Sequence, residues 1–155
     1  MSHEEYMKMA LELACEAGVD GETPVGAVVV NSIGQVIGRG RNRRELQRLS
    51  TAHAEIEAIG EACRTIGDWR LSGCTLYVTL EPCPMCAGAI IMSRIDKLFY
   101  GARDKLTGSC GSVQNLFMES YGHSTQITGG ILESESSALL TEFFRKLRNG
   151  EVYEK

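Results

Sequence analysis

Apolar and polar positions change period several times along the chain, and each change marks an element. Met7, Ala10, Leu11 and Ala14 recur at helical spacing, which predicts an amphipathic helix over 3–17 that Gly18 and Gly21 bring to an end. A valine-rich run over 24–31 predicts a strand, Ser32-Ile33-Gly34 a tight turn, and 35–40 a returning strand. Positions 41–50 read as a polar loop, closed by Ser50 as the expected cap of a helix over 51–66. A third strand is predicted over 74–80; Glu81-Pro82 breaks it, and Pro84 suits the first turn of a helix running through Ser93. A fourth strand over 97–101, a glycine-rich loop around Gly108 and Gly111, a short strand over 126–129 and a helix over 133–148 complete the pattern.

A hairpin followed by alternating helices and strands favours a mixed sheet covered by helices on both faces. The hairpin makes one pair antiparallel, and later strands can run parallel through helical crossovers. No repeat, low-complexity stretch or linker interrupts this order, so 1–155 is read as a single domain.

Composition changes this picture little. Of 155 residues, 43% are hydrophobic and 23% charged, the balance of a globular chain. No apolar run approaches membrane-spanning length; the most continuous, 25–30, stops at Asn31. The opening Met1-Ser2-His3-Glu4-Glu5 is acidic where a signal peptide is basic, which makes a cytoplasmic location the expectation. Net charge is −4, which by itself argues against a nucleic-acid partner. The distribution is uneven, however: Arg39, Arg41, Arg43, Arg44 and Arg48 cluster against the single acid Glu45.

Six cysteines are present, and Cys83 and Cys86 form a C-x-x-C. In a cytosolic chain that spacing points to a metal or redox site, whereas Cys15, Cys63, Cys74 and Cys110 read as buried small hydrophobes. Cys83 falls at a strand-to-helix junction and Cys86 one turn later, so their thiolates can converge on one ion. Zinc takes tetrahedral nitrogen and sulfur ligands, and His53 is a natural third, since His3 is terminal and His123 falls in a loop. No fourth ligand is placed, and three protein ligands with an open position is the catalytic arrangement. Glu55, two residues after His53, is positioned for proton transfer. A redox pair is the lesser reading, because Pro82 and Pro84 flank Cys83 without a thioredoxin-like context. A purely structural zinc site would require the missing fourth ligand.

His53-Ala54-Glu55 followed by Pro82-Cys83-Pro84-Met85-Cys86 resembles the signature of the zinc cytidine and adenosine deaminase superfamily. More closely, the chain resembles the bacterial tRNA-specific adenosine deaminases, through Pro24-Val25-Gly26-Ala27-Val28, Thr51-Ala52-His53-Ala54-Glu55-Ile56, the segments 75–83 and 85–89, Tyr100-Gly101-Ala102-Arg103-Asp104, and Gly129-Gly130-Ile131-Leu132 leading to Phe143-Phe144-Arg145. The resemblance implies a three-layer α/β/α cytidine-deaminase-like fold with a five-stranded mixed sheet. It implies a homodimer that hydrolytically converts the wobble adenosine of an arginine tRNA to inosine, with one zinc per chain. On this resemblance His53, Cys83 and Cys86 match the zinc ligands and Glu55 the proton shuttle. Asn42 matches a contact to the flipped base, Val25 and Leu80 walls of its pocket, and Asp104 a position beside the neighbouring nucleotide. The backbone N–H of Cys83 would help hold the attacking oxygen.

Candidate contacts to the anticodon stem-loop are Arg41, Arg43, Arg44, Arg48, Arg103, Arg145, Lys146 and Arg148. The chain departs from the family pattern in having Leu49-Ser50 where Asp-Pro is common, and a short, nearly neutral segment after Arg148 where many relatives are basic. The runner-up expectation is a guanine or other free-base or nucleoside deaminase, which shares the zinc site. A non-catalytic zinc-bearing partner subunit is a third; such subunits lose the shuttle carboxylate, and Glu55 is present.

Overall fold

The computed structural model describes residues 1–151. Helix α1 spans His3–Val19 and begins with a reciprocal cap, in which Ser2 Oγ accepts from the Glu5 amide and the Glu5 carboxylate accepts from the Ser2 amide. Strands β1 (Gly26–Val30) and β2 (Val36–Arg41) form the expected hairpin. Its turn is tied by Asn31 Oδ1, which accepts from the amides of Ile33 and Gln35. The short helix α2 (Arg44–Gln47), α3 (Ala54–Ile66), β3 (Thr75–Leu80), α4 (Pro84–Met92), β4 (Lys97–Ala102), β5 (Gln126–Thr128) and α5 (Glu133–Arg148) follow.

The five strands lie in the order β2-β1-β3-β4-β5. β1 runs antiparallel to both β2 and β3, whereas β3, β4 and β5 are mutually parallel. This is the five-stranded mixed sheet expected. α1 and α5 pack on one face and α3 and α4 on the other, which gives the expected three layers.

Alternation along β1 sorts its buried side chains between the layers. Val28 and Val30 pack with Tyr6, Met7 and Ala10 of α1. Ala27 and Val29 join Ala54, Ala58 and Ala62 of α3 on the other side, with Leu76, Val78 and Leu98. Gly38 and Gly40, opposite Val29 and Ala27, let α3 approach the sheet at backbone distance: a Cβ at either would overlap the carbonyl oxygen of Ala58 or Ala54. Among the described residues, no helix is long and apolar enough to cross a membrane.

Three expectations require correction. Cys15, expected to be a buried small hydrophobe, is exposed. The 41–50 loop contains α2, whose first amides are satisfied by the buried Glu22: its carboxylate accepts from Glu45 N at 3.0 Å and Leu46 N at 2.8 Å. Ser50 does not cap α3, which starts three residues later than the position 51 expected of it, with His53 as the N-cap residue. The preceding chain is engaged in turns instead, through Ala52 N to Leu49 O and His53 N to Thr51 O, and the Arg43 amide donates to Ala52 O. The part of the short C-terminal segment over 152–155 lies outside the described residues.

Candidate active site

The carboxyl ends of parallel strands open a crevice that α/β proteins use for ligands, and here β3 delivers its chain into the crevice as Glu81, Pro82 and Cys83. Cys83 is the N-cap of α4, with extended backbone, and Pro84 fills the first helical position, where a missing amide hydrogen costs nothing. Cys86 follows one turn later and is fully buried. From the other side, extended backbone at the N-cap of α3 brings the His53 ring to the sulfurs. His53 Nδ1 lies 3.7 Å from Cys83 Sγ and 3.5 Å from Cys86 Sγ.

All three donor atoms lie within 4.8 Å of one another. A tetrahedral zinc with bonds of about 2.1 Å to nitrogen and 2.3 Å to sulfur has nitrogen–sulfur edges of about 3.6 Å. The donor set therefore fits such an ion in both chemistry and spacing.

The close approach of these groups also shifts their protonation. A hydrogen bond from Cys86 holds the Cys83 thiol down at about 4 against the opposing effect of burial, with His53 assisting. Cys86, as the donor of that bond and deeply buried, is raised. His53 is raised chiefly by its hydrogen bond to Cys83. Glu55, in the first turn of α3 and 4% exposed, has its carboxyl raised, mainly by burial. It stands beside the donor triangle as a group that holds a proton more readily than an ordinary glutamate.

A cavity of about 400 Å³ opens over this centre. Val25, Asn42, Leu80 and Asp104 line it together with His53, Glu55 and Cys83, as does Arg44. Asn42 is nearly buried; its Nδ2 donates to Thr23 O at 3.2 Å, and its Oδ1 accepts from Arg44 N at 3.1 Å. An amide has two N–H donors, so one remains for a ligand. Asp104 Oδ1 accepts from Leu106 N and Thr107 N, while Oδ2 accepts from the Thr107 hydroxyl at 2.9 Å.

The remaining candidate cations lie elsewhere. Arg41 points toward α1 and pairs with Glu16 and Asp20, both at 3.2 Å. Arg43 pairs with Glu57 of α3 at 2.9 Å. Arg48 is the exposed C-cap residue of α2, and Arg103, Lys146 and Arg148 are exposed. Arg145 is bound to Glu142 at 2.8 Å.

Sequence reasoning missed Thr23, Glu81, Met85 and Thr107 in the lining, and weighed Ser50 only as a cap. Glu81 carried a signal: it is a carboxylate directly after a strand with no other charge, two residues before Cys83 of the C-x-x-C. It is 2% exposed and accepts from the amides of Asp104, Cys110 and Ser112 and from the Ser112 hydroxyl. Burial pushes its carboxyl up, but those hydrogen bonds prevail and hold it below the ordinary value. Cys110 is buried, and burial pushes its thiol up to about 12, so it is a packing residue and not a nucleophile.

A His/Cys/Cys donor triangle with a buried carboxyl beside it, at the floor of an open cavity, suits the chemistry of a zinc deaminase, and the comparisons agree on that class. Residues 1–148 match the family model described as MafB19-like deaminase, and the chain belongs to that family. Within it, the chain groups with the tRNA-specific adenosine deaminases. It is 49% identical to the tRNA-specific adenosine deaminase of Bacillus subtilis over 144 residues, covering 92% of this chain and 89% of the relative. It also resembles a solved structure from work on A-to-I editing by tRNA:A34 deaminases at the wobble position of transfer RNA. That likeness has a TM-score of 0.84 and 44% identity, and covers 88% of this chain and 99% of the other. A guanine deaminase from Nitrosomonas europaea shares the fold at a TM-score of 0.80 and 30% identity, over 92% of this chain and 84% of that one.

Proposed function

We propose that this chain is a zinc-dependent hydrolytic deaminase that converts the wobble adenosine of a tRNA anticodon loop, that of an arginine tRNA, to inosine. The observation that carries the reading is the buried Glu55 beside the His53, Cys83 and Cys86 donor triangle at the floor of the cavity. The same reading includes one zinc per chain, a homodimer, a single domain over 1–155 and a cytoplasmic location.

His53, Cys83 and Cys86 would hold the zinc, which supplies Lewis-acid activation of a water at neutral pH. Val25 and Leu80 flank the base apolarly, and the free Asn42 N–H is available to a purine acceptor. The Glu55 carboxylate takes a proton from the attacking water and passes it to N1 of adenine. It then moves a second proton to the departing C6 amine. Adenosine and water thus become inosine and ammonia. An anticodon loop is single-stranded, so turning the nucleotide into the pocket costs little.

Identity of 44–49% to proteins and structures named for tRNA deamination, against 30% for the guanine deaminase, favours the tRNA substrate. The test is inosine formation on an anticodon stem-loop beside deamination of free guanine. Inosine from the stem-loop is expected; turnover of guanine alone would overturn the tRNA reading.

Arg44 is the arginine of the 41–50 loop that lines the cavity, and it carries no ion pair among the described residues. Arg44→Ala is expected to weaken stem-loop binding and to flatten its salt dependence by about one unit of slope, as for one lost phosphate contact. Binding titrations at several salt concentrations measure this, and an unchanged slope would remove Arg44 from the RNA surface. Asn42→Ala removes the leftover donor and the bonds to Thr23 O and Arg44 N, and is expected to lower kcat/KM by about 10- to 100-fold in a protein that still folds, with a modestly lowered melting temperature. Steady-state kinetics on the stem-loop with a thermal melt check it.

A further inference from the structure

We propose that Glu81 is a positioning residue that sets how the pocket wall grips the substrate, and that it does so through Asp104 and Thr107. This inference rests on the deaminase reading of the site but not on which substrate fills it.

The chain from Asp104 to Ser112 has almost no regular structure; among the described residues it holds only an isolated bridge at Cys110. It nevertheless carries two residues of the cavity lining, Asp104 and Thr107. What shapes it is a single carboxylate entering from β3. Glu81 Oε1 accepts from Asp104 N at 3.1 Å, and Oε2 accepts from Cys110 N at 2.9 Å and Ser112 N at 3.2 Å. The Ser112 hydroxyl donates to Oε1 as well. Gly108 lies so close that a Cβ there would overlap the carboxyl group.

The segment is thus wrapped around one buried anion, with amides from both of its ends pointing inward. The strand carrying that anion continues directly into Pro82 and Cys83, and the carbonyl of Pro82 accepts from Ser109 N at 2.9 Å. Metal-binding donors and pocket wall therefore share one anchor, and Asp104 and Thr107, tied to each other, move with it.

A glutamine at 81 keeps the shape but turns one oxygen into a donor. That nitrogen faces amide donors and leaves at least one buried N–H unpaired, so the wall loosens while the donor triangle keeps its residues. The expected result for Glu81→Gln is a KM raised about tenfold, with kcat within about threefold of the parent, one zinc per chain and a folded protein. Ser112→Ala, which deletes one of the four donors, is expected to shift KM in the same direction by less.

Kinetics are run on whichever of the anticodon stem-loop and free guanine the parent enzyme turns over. Turnover of guanine only would defeat the tRNA reading while leaving the Glu81 test intact. A merely structural Glu81 predicts otherwise, whatever the melting temperature: lost zinc, and a fall in kcat at unchanged KM. Either that pattern, or kinetics of both variants equal to the parent, would overturn the proposal. If Glu81→Gln fails to fold, the Ser112→Ala kinetics decide it, a raised KM supporting it and an unchanged KM overturning it.

Discussion

Glu55→Gln is expected to lower the rate of inosine formation by about a thousandfold while the protein keeps its fold and its zinc. The substitution preserves volume at a site that is 4% exposed and removes only the ability to accept and return a proton. Burial already raises the Glu55 carboxyl, which suits a group that must hold a proton between two transfers. Glu55 also lies outside the triangle of donor atoms, so ligation should not suffer. Single-turnover rates and elemental analysis on the same preparation separate the two roles. A near-normal rate would dismiss the relay; loss of zinc would make Glu55 a ligand.

The second large effect is expected from Cys83→Ala with Cys86→Ala. The only remaining donor of the triangle is then His53, and one imidazole does not retain zinc against dilution. Zinc should fall from one per chain to below about a tenth, and deamination should vanish with it. A chelator applied to the parent enzyme should do the same, and restored zinc should restore activity only in the parent. Unchanged zinc in the double variant would show that the ion is held elsewhere.

How legible all this was depended on how local each cause is. The β1–β2 turn, the proline start of α4 and the two signature groups are written in adjacent residues, and they appear as expected. Helix α2 is different. Its sequence, Arg44-Glu45-Leu46-Gln47, has no apolar period, and what organises it is Glu22, from the connection between α1 and β1. The N-terminus of α3 misled for a related reason: Ser50 is a good cap by type, but turns through Leu49, Thr51 and Ala52 occupy that stretch and leave His53 as the boundary. Arginines suffered most. Arg41 and Arg43 look free in a basic run, yet their partners Glu16, Asp20 and Glu57 stand on helices, or at the cap of one, that the run does not reveal. Glu81 is the converse case, a residue whose four donors become neighbours only once the 104–112 segment has folded over it.

The close seating of α3 on Gly38 and Gly40 bears on how such a scaffold can diversify. Ala54, whose carbonyl meets Gly40, sits between His53 and Glu55, so one rung of an edge strand sets the depth of both side chains. Sideways drift of that helix is barred by backbone on backbone, where no rotamer can yield. The two stretches that border the cavity above it, around Arg44 and around Asp104, are held instead by single carboxylates on hydrogen bonds, which a few substitutions can redraw. The α3 side of the site thereby sits on a rigid unit, while the borders of the cavity rest on exchangeable hydrogen bonds. Such a division of labour lets one architecture serve different substrates, and a guanine deaminase and a tRNA deaminase do share it.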